Sequence, residues 1–244
     1  RGGRGPPTMY ESFYGFRERP FALLPDPSFL FLSKGHGVAL TLLRYSIMNR
    51  QGFTVVSGEV GSGKTTLINR LLDEMQDNVT VGLINFTTQS FGDMAEWIMM
   101  AYGLDYKGKG KVELYDDFVQ FMIREYAAGR PVVLIVDEAQ NLGIRGLEEV
   151  RMLSNVNAQK KYLLHVILVG QPELRSLLQS SQLRQLTQRV SVAYHLKRLT
   201  DEGVADRVQL EVGGARKLPY GDGQFDKAFT SFTVELFPLE DISA

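Results

Sequence analysis

Residues 58–65 read Gly58-Glu59-Val60-Gly61-Ser62-Gly63-Lys64-Thr65, which matches the phosphate-binding pattern G-x-x-x-x-G-K-[ST]. The segment follows a β-rich stretch at 53–57 and opens a helical stretch at 64–74, which is the context that the pattern requires. Backbone N–H groups of such a loop converge on phosphate oxygens, and the helix N-terminus adds its positive dipole end. The segment from Gly58 to Thr66 is therefore predicted to bind a nucleoside triphosphate.

Strand-like and helical stretches alternate outward from this loop. Predicted strands lie at 53–57, 79–86, 130–136, 163–169 and 190–196, and helical patterns lie at 37–49, 64–74, 91–102, 114–128, 147–155 and 174–182. This order predicts an α/β fold of three layers, in which a five-stranded parallel sheet is covered by helices on both faces.

An apolar strand at 132–136 ends in two adjacent acids, Asp137 and Glu138. Two carboxylates at the end of a buried strand are costly without a cation or other partners. In a chain with a phosphate loop, Lys64 should reach the β- and γ-phosphates, while Thr65 and Asp137 should hold Mg²⁺. Glu138 is then placed to polarise an attacking water. The alternative is a pair of solvated acids at the exit of the strand.

Three further polar residues are candidates for the same reaction. Gln171 follows the strand at 163–169 and is a candidate sensor of the γ-phosphate, or else a turn residue before Pro172. Arg189 and then Arg184, before the last strand, are candidates to reach into the site of a neighbouring subunit and stabilise transition-state charge. The alternative for both arginines is an ordinary place on the surface.

Composition excludes several other kinds of chemistry. The 244 residues contain no cysteine and three histidines, which excludes thiolate catalysis and argues against a histidine metal cluster. A formal net charge of −1 gives no strong attraction to nucleic acid. His36 is expected at a helix start and His165 in the core, while the Lys/Gly run at 107–111 is expected to be an exposed loop.

The two ends of the chain differ in texture from the middle. Residues 1–8 are predicted to be a disordered lead, and 9–199 to form the ATP-binding domain, with an aromatic and proline-rich arm at 10–33. The aromatic side chains of this arm are candidates either for adenine contact or for core packing. Residues 200–244 are richer in glycine and charge, with weak periodicity.

These motifs in this order resemble the AAA+ superfamily and, within it, the general secretion pathway protein A (ExeA-like) family. The quoted segments are Tyr14-Gly15-Phe16, Pro20-Phe21, Pro25-Asp26-Pro27, Ser33 with His36, the phosphate loop, 136–142, 149–155 and 170–174. The resemblance covers roughly residues 10–199 and supports the roles given to Asp137, Glu138 and Gln171. Residues 200–206 begin like the helical lid of such proteins, but the lid's Gly-x-Pro-Arg motif is not found, so 200–244 are predicted to form a partial or divergent lid.

The resemblance implies an ATP- and Mg²⁺-dependent homo-oligomer that hydrolyses ATP. It implies a place on the cytoplasmic side of the inner membrane, in contact with an inner-membrane partner that serves envelope secretion or exopolysaccharide export. Two alternatives remain open at this point. One is an ATP-gated transposition regulator that associates with DNA, and the other is a nucleotide-binding scaffold with little turnover.

Overall fold

The computed structural model describes residues 33–75, 79–85, 93–158 and 161–198. The predicted lead, the arm up to residue 32 and the predicted lid at 200–244 lie outside these residues. Helices α1 to α7 span Lys34–Met48, Lys64–Glu74, Met94–Ala101, Lys111–Ala127, Gly143–Leu153, Pro172–Leu178 and Arg184–Thr187. Strands β1 to β7 span Phe53–Gly58, Thr80–Asn85, Val132–Asp137, Asn157–Ala158, Lys161–Tyr162, Leu164–Gly170 and Val190–Leu196. Short 3₁₀ turns at Ala139–Leu142 and Ser181–Leu183 precede α5 and α7.

The main sheet has five strands in the order β2-β3-β6-β1-β7. Every neighbouring pair in this sheet is parallel, while β4 and β5 form a separate antiparallel pair. The register places Asn85 beside Asp137 and Ser57 beside Gly170, so the carboxyl ends of these strands lie at the same end of the sheet. The five-stranded parallel sheet predicted from the sequence is therefore confirmed.

Successive side chains of the central strands alternate between two separate hydrophobic cores, one on each face of the sheet. Val133 and Ile135 of β3 face a core that contains apolar residues of α1 and α2. Val132, Leu134 and Val136 face the opposite core, which contains apolar residues of α3, α4, α5 and α6. Burying each such aliphatic side chain contributes about 1.5–3 kcal/mol, so strands buried on both faces become continuous apolar runs in the sequence. The predicted three-layer arrangement is confirmed.

Strand order also places a crevice at the carboxyl end of β1. The connection from β1 crosses to β2 at the far edge of the sheet, whereas the connection from β6 passes over β1 to reach β7. The two connections leave in opposite directions, and in open parallel sheets ligands bind where the connections diverge in this way. The phosphate-loop sequence follows β1 directly, so the topology and the motif point to the same place.

Helices α1, α4, α5 and α6 each begin two to four residues earlier than the sequence predicts, and the start of α4 falls in the Lys/Gly run. Helix α4 starts at Lys111, inside the run that was expected to be an exposed loop, because Glu113 accepts a hydrogen bond from the backbone N–H of Gly110 at 2.8 Å. Lys111 also forms an ion pair with Asp93 at 2.7 Å, which joins the start of α4 to the start of α3. The prediction for residues 107–110 is unaffected, but for Lys111 it was wrong.

Candidate nucleotide-binding site

The phosphate loop, residues 58–65, turns sharply between β1 and α2. Gly61 and Gly63 have φ angles of 76° and 83°, a left-handed conformation that residues with a side chain rarely adopt. Gly58 is required for a different reason, since a Cβ there would lie 2.5 Å from the Leu196 carbonyl oxygen and 2.7 Å from Ser62 Oγ. The glycines of the motif therefore allow both the turn and its close packing against β7.

Lys64 is buried within the curve of the phosphate loop and is 6% exposed. Its Nζ donates hydrogen bonds to the carbonyl oxygens of Gly58 at 2.8 Å and Glu59 at 2.9 Å. An ammonium group has three N–H donors, so these two bonds leave one donor for a phosphate oxygen. The geometry holds the charge of Lys64 at the N-terminus of α2, where an anion is already favoured.

Thr65 and Asp137 meet across the crevice although they are far apart in the sequence. Thr65 Oγ1 donates to Asp137 Oδ2 at 2.9 Å, and the backbone N–H of Glu138 donates to Asp137 Oδ1 at 2.9 Å. Asp137 is only 3% exposed. A hydroxyl and a carboxylate are hard oxygen ligands, and Mg²⁺ commonly uses one or two such groups together with water and substrate phosphates. The donor set at this point therefore fits Mg²⁺.

Hydrogen bonds join Glu138, Gln140 and Gln171 to one another beside Asp137. These three residues and Asp137 are together called the carboxylate–amide cluster. Glu138 Oε2 accepts from Gln140 Nε2 at 2.6 Å and from Gln171 Nε2 at 3.1 Å. Gln140 Oε1 in turn accepts from the backbone N–H of Gln171 at 3.1 Å. Glu138 has a φ of 54°, so its backbone is left-handed, and strain of this kind is characteristic of functional sites.

A polar cleft of about 470 Å³ connects these groups. Its walls are formed by Thr65, Asn85, Asp137, Glu138, Gln140, Asn141 and Gln171. The magnesium candidates, the water-activating candidate and the sensor candidate of the sequence analysis therefore line one cleft beside the phosphate loop. Within the described residues, no group of three or more His, Cys, Asp or Glu side chains comes together as a metal site.

His36 is a site residue that the sequence analysis placed only at a helix start. It does lie in the first turn of α1, where Ser33 Oγ accepts from its backbone N–H at 3.3 Å. In addition, the His36 ring donates from Nε2 to the carbonyl oxygen of Ser62 at 3.0 Å and contacts Ser33 Oγ through Nδ1 at 2.7 Å. A Cβ at position 63 would lie 2.8 Å from Nε2, so a glycine is needed for this approach. His36 thus supports the phosphate loop from α1.

The two candidate arginines lie away from the cleft of their own chain. Arg189 donates to Asn155 Oδ1 at 2.9 Å and to the Arg151 carbonyl oxygen at 3.5 Å. Arg184 is exposed at the start of α7, and no residue in the described part of the chain contacts its guanidinium through a hydrogen bond or ion pair. Neither arginine hydrogen-bonds to the phosphate loop or to the carboxylate–amide cluster.

His165 lies near the amino-terminal end of β6, at the end of the sheet opposite the cleft, and is a core histidine, as expected. Its Nδ1 contacts the carbonyl oxygen of Gln51 and its Nε2 lies 3.3 Å from Ser46 Oγ. Burial lowers the pKa of His165 to about 4, because the charged form loses its hydration. The ring is therefore neutral near pH 7 and has no contact with the cleft.

Comparison with known proteins identifies the family. A family model described as an AAA domain matches residues 47–178, which contain the phosphate loop and the carboxylate–amide cluster. The chain belongs to the AAA family of ATPases. This AAA ATPase is 38% identical over 209 residues to General secretion pathway protein A of Aeromonas hydrophila, which confirms the predicted resemblance. The match covers 84% of the chain but only 38% of that relative.

Solved structures support the fold at much lower identity. The ORC1 protein of Aeropyrum pernix, solved in complex with DNA, aligns with a TM-score of 0.54 at 18% identity, covering 75% of this chain and 50% of that one. The ORC2 protein of the same organism, in its ADP form, aligns with a TM-score of 0.53 at 15% identity, covering 71% and 50%. At these identities the likeness shows the α/β fold alone.

None of the helices in the described ranges combines the length and apolar character needed to cross a bilayer.

Proposed function

We propose that this AAA ATPase binds ATP with Mg²⁺ and hydrolyses it at the cleft beside the phosphate loop. The observation that carries the proposal is the 2.9 Å hydrogen bond between Thr65 and Asp137, which joins the phosphate loop to the end of β3. Two separate sequence motifs thus meet with oxygen ligands suited to magnesium directly beside a buried lysine.

Binding is assigned to the loop from Gly58 to Thr66. Its backbone N–H groups and Lys64 hold the β- and γ-phosphates, while Thr65 and Asp137 hold the metal ion. Magnesium, when bound, neutralises charge on the phosphate oxygens. Replacing Thr65 with Val removes one ligand and keeps the shape, so the Mg²⁺ concentration for half-maximal ATPase rate should rise.

Hydrolysis is assigned to Glu138 and Gln171. Water attacks the γ-phosphorus as the bond to the β–γ bridging oxygen breaks, and Glu138 takes a proton from that water, so the products are ADP and inorganic phosphate. Gln171 contacts Glu138 at 3.1 Å, which suits a side chain that reports the presence of the γ-phosphate to the base. In this proposal the base and the sensor act as neighbours in one cleft.

A homo-oligomer would complete the site. An arginine supplied by a neighbouring subunit stabilises transition-state charge in many nucleotide hydrolases. Arg184 is better suited to this role than Arg189, because Arg184 is exposed and has no described partner whereas Arg189 is bound to Asn155 of its own chain. This reverses the order of preference given by the sequence, which put Arg189 first.

The relative's name guides the proposed process. Because the chain is similar to General secretion pathway protein A, we assign its ATPase to the assembly or regulation of an envelope secretion or exopolysaccharide export system. It would act from the cytoplasmic face of the inner membrane through a membrane partner. The chain spans 38% of that relative's length, so the process is argued from the similarity of the ATPase region alone.

The test is phosphate release from ATP measured across a series of protein concentrations, with and without Mg²⁺. We expect the rate per subunit to rise steeply with concentration, because the arginine comes from a neighbour, and to fall to background in Glu138→Gln. Glu96→Gln, an exposed glutamate on α3, is the matched control and should keep the wild-type rate.

Two outcomes would replace the proposal. Tight ATP binding without phosphate release above a Lys64→Ala control would indicate a nucleotide-binding scaffold. Salt-sensitive retention on DNA that requires ATP would favour a DNA-associated regulator, since phosphate contacts weaken steeply as salt rises.

A further inference from the structure

Gln140 lies within the segment 136–142 and stands between the two residues assigned to hydrolysis, but the proposed hydrolysis gives it no role. Its amide nitrogen donates to Glu138 Oε2 at 2.6 Å, and its amide oxygen accepts from the backbone N–H of Gln171 at 3.1 Å. Both ends of one side chain are therefore used, one on the base and one on the strand end that carries the sensor. A glutamine is the residue that offers a donor and an acceptor at this length.

The strand next to Gln140 is shaped to accept it. A Cβ at Gly170 would lie 2.6 Å from Gln140 Oε1, closer than packed atoms tolerate, so the glycine leaves the space that the amide occupies. Gly170 is the last residue of β6 and precedes Gln171 directly. The close approach therefore fixes Gln140 against the strand end from which Gln171 projects.

The hydrogen bonds distinguish the two oxygens of Glu138. Oε2 accepts both amide donors, at 2.6 Å from Gln140 and 3.1 Å from Gln171. Within the described residues, Oε1 has no hydrogen-bond partner, so it is the oxygen left to meet a water in the cleft. The backbone of Glu138 is left-handed, with φ at 54°, a conformation that persists only where surrounding contacts hold it.

We propose that Gln140 is a positioning residue that fixes the carboxylate of Glu138 and ties it to Gln171. It acts through Glu138 and does not touch the substrate. The bridge holds Oε2 so that Oε1 is presented to the attacking water, and it makes the position of the base depend on the position of the sensor. The inference rests on the proposed hydrolysis and adds a third member to its machinery.

The test compares Gln140→Leu and Gln140→Asn with the wild-type chain. Leu keeps the volume and loses both hydrogen bonds, while Asn keeps the amide on a stem too short to bridge both partners. A positioned base contributes on the order of 10²- to 10⁴-fold, so losing its orientation should lower kcat by about tenfold or more. ATP affinity, measured by equilibrium binding, should stay within about twofold of wild type because the phosphate loop is untouched.

Two controls separate positioning from general damage. Gln120→Leu makes the same chemical change on the exposed face of α4 and should leave kcat unchanged. In a Glu138→Asp background, which keeps a carboxylate on a shorter stem and so keeps measurable single-turnover hydrolysis, Gln140→Leu should cause little further loss, because the shortened carboxylate no longer receives the Gln140 hydrogen bond. A full additional loss in that background would overturn the inference.

The outcomes also separate this inference from the proposed function. If the wild-type chain releases phosphate and Gln140→Leu has the same kcat, the positioning role is wrong and the hydrolysis stands. If ATP affinity falls as much as kcat, Gln140 supports binding and the inference is again wrong. If the wild-type chain releases no phosphate at any concentration, the proposed hydrolysis is overturned together with its positioning residue.

Discussion

The phosphate loop is held mainly through backbone atoms, whereas the carboxylate–amide cluster is held mainly through side chains. Lys64 and His36 bond to carbonyl oxygens of the loop, at Gly58, Glu59 and Ser62. In the cluster, by contrast, side-chain amides meet a side-chain carboxylate on Glu138. Backbone contacts fix a shape with little freedom, while side chains can change rotamer as the ligand changes. The loop is therefore suited to binding and the cluster to chemistry.

The two substitutions with the largest expected effects should separate ATP binding from ATP hydrolysis. Lys64→Ala removes a charge-assisted contact worth about 1.5–3 kcal/mol, so ATP affinity should fall by about 10- to 100-fold. Glu138→Gln should abolish turnover and leave ATP affinity within about twofold, because the carboxylate acts in the transition state. Equilibrium ATP binding and phosphate release, measured on both variants, check the comparison. Equal losses of affinity in both would show that the two regions bind as one unit.

Replacing His36, which supports the phosphate loop, should lower ATP affinity less than replacing Lys64 does. His36→Ala leaves the Ser62 carbonyl without its hydrogen bond, and an unsatisfied buried polar group costs about 1–3 kcal/mol. If part of this free-energy cost applies to the ATP-bound protein alone, ATP affinity should drop by about three- to tenfold, while kcat at saturating ATP stays unchanged. Isothermal titration with ATP and a saturating rate measurement give both numbers.

Asn49→Ala is the matched control for His36. Asn49 is exposed at the other end of α1, and its side chain donates to the Tyr45 carbonyl oxygen at 2.8 Å. It should affect the stability of α1 without changing ATP affinity. A loss of kcat with unchanged affinity in His36→Ala would contradict the division between loop and cluster.

The motifs were predictable because their residues are adjacent in the sequence. Eight consecutive residues specify the phosphate loop, and an apolar run followed by Asp137 and Glu138 specifies the end of β3. The parallel sheet followed from the alternation of strands and helices. These features depend on local pattern, which one sequence displays directly.

The supporting contacts were not predictable in the same way. His36 meets Ser62 only because α1 packs on the same face of the sheet as α2, and Gln140 meets Gln171 only because β3 and β6 are neighbours. Weak signals were present, since Ser33 stands three residues before His36 and Gly170 precedes Gln171. Such spacings suggest a helix cap and a tight approach, but they do not name the partner.

The smallest kinetic effect is expected at His165, which lies outside both regions. Its pKa of about 4 in the folded chain is below the usual value of 6.5, so between these values the unfolded chain binds more protons. Stability should therefore fall as the pH decreases from about 6.5 to 4, by up to about 3 kcal/mol for a shift of this size. His165→Asn, which retains a donor toward Gln51, should show a weaker pH dependence of unfolding in urea.

The same His165 variant should bind and hydrolyse ATP as the wild type does near pH 7, where the buried ring of the folded chain is neutral. Urea unfolding at pH 7 and at pH 5, together with one rate measurement, completes the comparison. An altered kcat at pH 7 would show that the amino-terminal edge of the sheet is coupled to the cleft.

The left-handed backbone at Glu138 sets stability against turnover at a single position. Such a conformation costs a residue with a side chain about 1–2 kcal/mol, and a glycine would avoid that cost. A glycine there would also remove the carboxylate. It would also leave the side-chain amides of Gln140 and Gln171 without the acceptor that they share. At position 138, relief of the backbone strain therefore comes only together with the loss of the base and of two hydrogen bonds.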